Sequence, residues 1–205
     1  MAGGLATRCS PGRHGFVTRL RFIEEVLNRD ESIVNDFAMK TGCAFAALPL
    51  PTDLRDWFSG EELLELVLEA VGGLDFGGRR WRVLSAEEGV FPFPMLCTLL
   101  TYCYATRRFA SDDIEAQQSE DPVLRYLCAG TFPQWATLRR FRRAQRGLIG
   151  AALSRAFALA WARRPQAGES AAGLTDELVA IEAMAAAAED RLQRAVLADA
   201  GAQDW

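Results

Sequence analysis

Residues 95–106 read MLCTLLTYCYAT, a stretch without a charged side chain and apolar on nearly every side of a helical wheel. A helix of that kind has no face to give to water, so it predicts a buried central helix near 94–106, entered through Phe91-Pro92-Phe93-Pro94. The rest of the chain must pack around it. Phe16, Leu20, Ile23 and Leu27 fall at helical spacing, with Ile33, Val34 and Phe37 continuing after a break. Ser59-Gly60-Glu61-Glu62 is a capping box that opens a helix over Leu63 to Val71, and Gly72-Gly73 ends it. Ser111 before Asp112 and Asp113 predicts the capped start of a short helix through Gln118, and Asp121-Pro122 predicts a second that stops at Gly130. From about Gln134 or Thr137 a long helix is expected to run to Arg164, bent near Gly147 or Gly150 or packed on two faces. Pro165 to Gly173 reads as a linker, and Leu174 to Ala200 as an Ala-rich helix. Trp81 to Leu84 is too short to assign, and no strand is convincing. The expected class is all-α: a multi-helix domain over 51–164, an N-terminal helical extension over 1–50, and a linker with a helical tail over 165–205.

Half of the 205 residues are hydrophobic, enough for one substantial core. No apolar run reaches the roughly 18–20 residues of a membrane span, and MAGGLATRCSPGRHGF lacks the hydrophobic centre of a signal peptide, so a cytoplasmic protein without membrane partners is expected. Five cysteines at 9, 43, 97, 103 and 128, odd in number and irregular in spacing, predict reduced thiols rather than a disulfide framework or zinc site.

Charge is distributed unevenly. From Pro122 to Gly168 there are nine arginines and no carboxylate, whereas Pro51 to Gly78 holds seven acidic residues against Arg55 alone. Such separation points to a polyanionic partner more strongly than the net charge of −4 opposes one. Arg139, Arg140, Arg142, Arg143 and Arg146 span an arc of roughly 160° on a helical wheel, opposite Phe141 and Leu148. Two short helices, a turn at Gly130 to Pro133 and then a basic helix outline a helix-turn-helix-like unit, whose last helix suits a DNA groove. Thr137 is placed to cap that helix or touch a phosphate. The competing reading is a solvated face whose arginines pair with the acidic residues at 53–75 or 112–121.

Catalytic chemistry finds little purchase. His14, the single histidine, has no anchored partners, Cys97 and Cys103 lack companion ligands, and Asp112-Asp113-Ile114-Glu115 reads as a helix start rather than a metal site. GGLDFGGRR lacks phosphate-loop spacing. No catalytic residue, metal or cofactor is expected. Trp81, Trp135 and Trp161 are candidates for stacking on bases, but arginine interleaves with them too sparsely to favour single strands over core or rim packing.

The motifs Pro94-Met95-Leu96, Leu99-Leu100-Thr101-Tyr102, Ser111 with Ile114-Glu115, Asp121, Arg125-Tyr126-Leu127, and Thr137 with Arg140-Phe141-Arg142-Arg143 occur in that order. In this the stretch 91–145 resembles the N-terminal helical domain of bacterial insertion-sequence transposases of the InsH type. The resemblance implies a helical domain that recognises DNA, transposon ends in particular, and in that family a ribonuclease-H-like domain with three acidic residues follows. Residues 165–205 are too few for that domain, and their acids fall on a helical stretch. The expectation is therefore a stand-alone or truncated relative without strand transfer. Its family-like region would begin as early as Met39, leaving 1–38 as an added element or a mis-assigned start.

The expected function is binding of double-stranded DNA through Thr137, Arg139, Arg140, Arg142, Arg143 and Arg146. About five phosphate contacts would give log K against log salt a slope of roughly −4 to −5. The alternative is a helical interaction module that forms a homo-oligomer or docks on an acidic partner; a full-length transposase is a further candidate partner.

Overall fold

The computed structural model describes residues 50–76, 82–85, 89–164 and 174–201. The described residues, all within the unit Phe45–Trp205, form a short 3-10 turn at Leu54–Asp56, a hairpin and seven α-helices. In order these are α1 (Gly60–Gly72), β1 (Arg82–Ser85), β2 (Gly89–Pro92), α2 (Phe93–Ala105), α3 (Ser111–Gln117), α4 (Pro122–Cys128), α5 (Trp135–Ala144), α6 (Arg146–Arg163) and α7 (Leu174–Gly201). The fold is all-α apart from the antiparallel hairpin, which pairs Val83 with Phe91 and Leu84 with Val90. The sequence left β1 unassigned because four residues carry too little periodicity. The helices expected over 16–37, the start at Met39, the loop at 77–80 and the linker at 165–173 lie outside the described residues.

Helix α2 is central to the described residues. Leu96, Cys97, Leu99, Leu100, Cys103, Tyr104 and Ala105 are fully enclosed, with α1, α4, α5, α6 and α7 packed around them. Its C-terminal carbonyls are covered by Arg191 of α7, whose Nη1 donates to Tyr104 O at 2.7 Å and whose Nη2 donates to Pro51 O at 3.0 Å. A cation there complements the negative end of the helix. Burial, the largest influence on Arg191, holds its pKa below the usual arginine value.

Local signals act as the sequence predicts at two starts. Ser59 N–H donates to Glu62 Oε2 at 2.9 Å while Glu62 N–H donates to Ser59 Oγ at 3.4 Å, completing the capping box of α1. Asp121 Oδ1 accepts from the N–H of Val123 and Leu124 at 2.8 and 3.2 Å, with Pro122 at the first helical position of α4. That helix stops when Ala129 and Gly130 adopt positive φ values of 48° and 78°, a region glycine enters without strain.

The third start differs. Ala110 is the N-cap of α3, and Ser111 is a buried first-turn residue whose N–H and Oγ donate to Asp199 of α7 at 2.8 and 3.0 Å. The expected long basic helix is also divided: it breaks at Gln145 (φ −125°, ψ 29°), two residues ahead of Gly147. The break lets α6 turn Ile149, Ala152, Leu153, Ala156, Phe157 and Ala160 into the core from several sides. Helix α7, expected as a tail, is core as well: Ala188, Leu192 and Ala195 form its buried stripe against α6.

Candidate nucleic-acid interface

Helix α5 carries most of the predicted contacts, and its sequence WATLRRFRRA folds with Leu138 and Phe141 toward α2 and α3. No side chain of its N-cap Gln134 closes the first turn; the Trp135 N–H donates instead to Glu115 Oε2 on α3 at 2.8 Å. That carboxylate takes the positive end of the helix, where an anion would otherwise be favoured. Thr137 is fully buried within the turn. It is therefore neither the cap nor an exposed phosphate contact.

The five arginines separate into three groups. Arg142, only 3% exposed, donates through Nη2 to Asp199 Oδ2, and through Nη1 to Tyr104 Oη at 3.1 Å and Ser111 Oγ at 3.4 Å. Arg139, 8% exposed, places Nε 3.1 Å from the same Asp199 oxygen, with its guanidinium carbon 5.2 Å from the centre of the Trp135 ring. Burial, the largest influence on Arg142, would lower its pKa, but Tyr104 and Asp199 hold it above the usual arginine value. Burial also pushes the Tyr104 hydroxyl upward, so the group facing Arg142 stays neutral. Arg139 and Arg142 are thus corrected from DNA contacts to members of a buried network. An uncompensated guanidinium in the interior costs several kcal/mol, about 3–5 when one partner of a buried pair is removed.

Arg146 begins α6 and pairs with Glu189 of α7, at a surface where both side chains remain substantially exposed. It too is engaged by the chain's own acid. The exposed Arg140 and Arg143 make up the third group; neither forms an ion pair within the described residues. They line an open groove of about 670 Å³ together with Trp135, Ala136, Arg139 and Ala144. These six positions are two rows at four-residue spacing, 135-139-143 and 136-140-144, and therefore one helical stripe. The two alanines leave room beside the longer side chains. Trp135 is 44% exposed.

Glu115 lies among the acids at 112–121 that the sequence offered as partners, though it takes the Trp135 N–H rather than an arginine, whereas Asp199 and Glu189 were given no such role. A signal for Asp199 was present: it continues the stripe Ala188, Leu192, Ala195 at i+4, i+7 and i+11, placing an acid on the core-facing side of α7. An acid on such a stripe requires a partner, and an arginine four residues after Leu138 supplies one.

Elsewhere, Trp161 is packed against Trp57 with ring centres 6.2 Å apart and covered by Arg164 at 3.7 Å, while Trp81 lies outside the described residues. Among the described residues Trp135 is therefore the tryptophan on the arginine face. Burial pushes the Cys97 thiol up to about 12 and the Cys128 thiol to about 11, far from a nucleophile's range. Among the described residues no group of three His, Cys, Asp or Glu side chains could hold a metal ion, and no helix is long and apolar enough to cross a membrane. No protein-family model, curated protein or solved structure matches the chain.

Proposed function

We propose that the chain binds DNA through the outward stripe of α5, with Arg140 and Arg143 as the phosphate contacts. One observation carries the reading: these two guanidinium groups are exposed, one turn apart, and without a carboxylate partner in the described residues. The order of α3, α4, turn and α5, and the resemblance of 91–145 to transposase helical domains, support it further. The contact set is smaller than the sequence suggested. Two phosphate contacts give a salt slope of about −2 rather than −4 to −5 and correspondingly weaker binding.

Fluorescence anisotropy with a labelled duplex of random sequence at low salt tests the proposal. The doubly reversed variant R140E/R143E is expected to lose at least about tenfold in affinity, since each arginine becomes a repulsive charge. Equal binding by this variant and the wild type would remove the stripe from the interface.

A second reading has its own support. Tyr126 is 66% exposed, and Phe132 and Leu197 are exposed too. Tyrosine, tryptophan and arginine are the residues enriched at protein interfaces. On that reading the chain is a helical interaction module. A stable oligomer in sedimentation, together with no DNA shift, would favour it.

A further inference from the structure

The groove along α5 contains one group that duplex binding does not use. Paired bases are stacked inside a duplex and cannot reach the face of a side-chain ring, whereas an unpaired base can stack on one. Trp135 offers such a ring: Arg139 lies near it with the guanidinium carbon 5.2 Å from its centre, while 44% of the residue remains exposed. Arg139 is itself held by Asp199 at 3.1 Å, so the ring rests against a guanidinium fixed by the core. From this ring the stripe leads to the exposed Arg140 and Arg143. Trp135 to Arg143 is eight residues, about 12 Å along a helix. This matches two or three nucleotides of one strand, a base at one end and phosphates at the other. Ala136 and Ala144 keep the floor open between them.

Resting on the proposed DNA binding, we propose that this groove is a site for an unpaired nucleotide, so that a frayed or overhanging DNA end binds more tightly than blunt duplex. Trp135 stacks on the base, and Arg140 and Arg143 hold the adjoining phosphates. Nothing in the stripe reads base edges, so the preference is for an open strand and not for a sequence.

The experiment uses the full chain and three labelled probes at one salt concentration: a blunt duplex, the same duplex with a three-nucleotide overhang, and the single strand. The overhang is expected to bind about tenfold more tightly than the blunt duplex, within the range that one stacked base supplies. W135A is expected to erase that difference while changing blunt-duplex affinity by less than about twofold, and W135F, which keeps a ring, is expected to restore most of it. R140Q/R143Q is expected to weaken all three probes. Equal affinity for overhang and blunt duplex, or an overhang preference that survives W135A, would overturn the site while leaving duplex binding in place. Failure of all three probes to bind would remove DNA binding itself, and the site with it.

Discussion

The inward and outward faces of α5 carry the same residue type to opposite ends. Arg139 and Arg142 lie under α7 against the Asp199 carboxylate, together with Tyr104 and Ser111. Arg140 and Arg143, immediately beside them in sequence, face solvent. The positive charge counted along the chain is therefore not the charge offered to a partner. Burial converts two of the five arginines into internal connectors of α2, α3, α5 and α7, and Glu189 engages a third at the rim. A cationic segment becomes a binding surface only to the extent that the fold leaves its charges uncompensated.

The sharpest way to break the comparison is Asp199→Ala, which strands two buried guanidinium groups and two donors of Ser111. A loss of about 3–5 kcal/mol is expected, read as a lowered denaturation midpoint in urea. A loss below about 1 kcal/mol would mean that the inward arginines do not depend on the carboxylate.

An intermediate case is Asp121, whose Oδ2 accepts from Arg108 Nη2 at 2.6 Å, with both side chains largely enclosed. Burial would raise its pKa, but hydrogen bonds from Arg108, Leu124 and Val123 hold the carboxyl below its ordinary 3.8. Because the folded value is the lower one, this stability is present above the unfolded value of 3.8 and is lost as pH falls through the folded value. Asp121→Ala is expected to cost about 1–2 kcal/mol at neutral pH, from the lost cap and ion pair together. The gap from wild type should close below pH 3.8 in acid titrations followed by circular dichroism.

Smaller effects are expected at the surface. Glu189→Gln removes the exposed partner of Arg146 and should change stability by about 1 kcal/mol or less, because water screens such pairs. R140Q/R143Q should shift stability by no more than about 0.5 kcal/mol, the range of solvent-facing substitutions. A large loss there would show that the outward arginines are structural as well.

Much of the fold was legible in the sequence because its signals are local. The charge-free stretch at 95–106 could only be a buried helix, and Ser59-Glu62 and Asp121-Pro122 specify caps through neighbours two or three residues away. The candidate site was legible in outline only. Asp199 stands 57 residues from Arg142 along the chain, so the choice between inward and outward arginines depends on how α7 docks. The same distant pairing displaced Ser111 from the cap to the interior. The bend expected near Gly147 or Gly150 falls two residues earlier, at Gln145, and the two differently oriented faces of α5 and α6 explain why the chain turns there.

The division of α5 is tested most directly by the salt dependence of duplex binding, measured by anisotropy from about 50 to 200 mM monovalent salt. The account predicts a log–log slope of about −2 for the wild-type chain, falling toward zero in R140Q/R143Q. A slope of −4 to −5, or one unchanged in that variant, would contradict it, because the phosphates would then be reached by arginines that the core is said to hold.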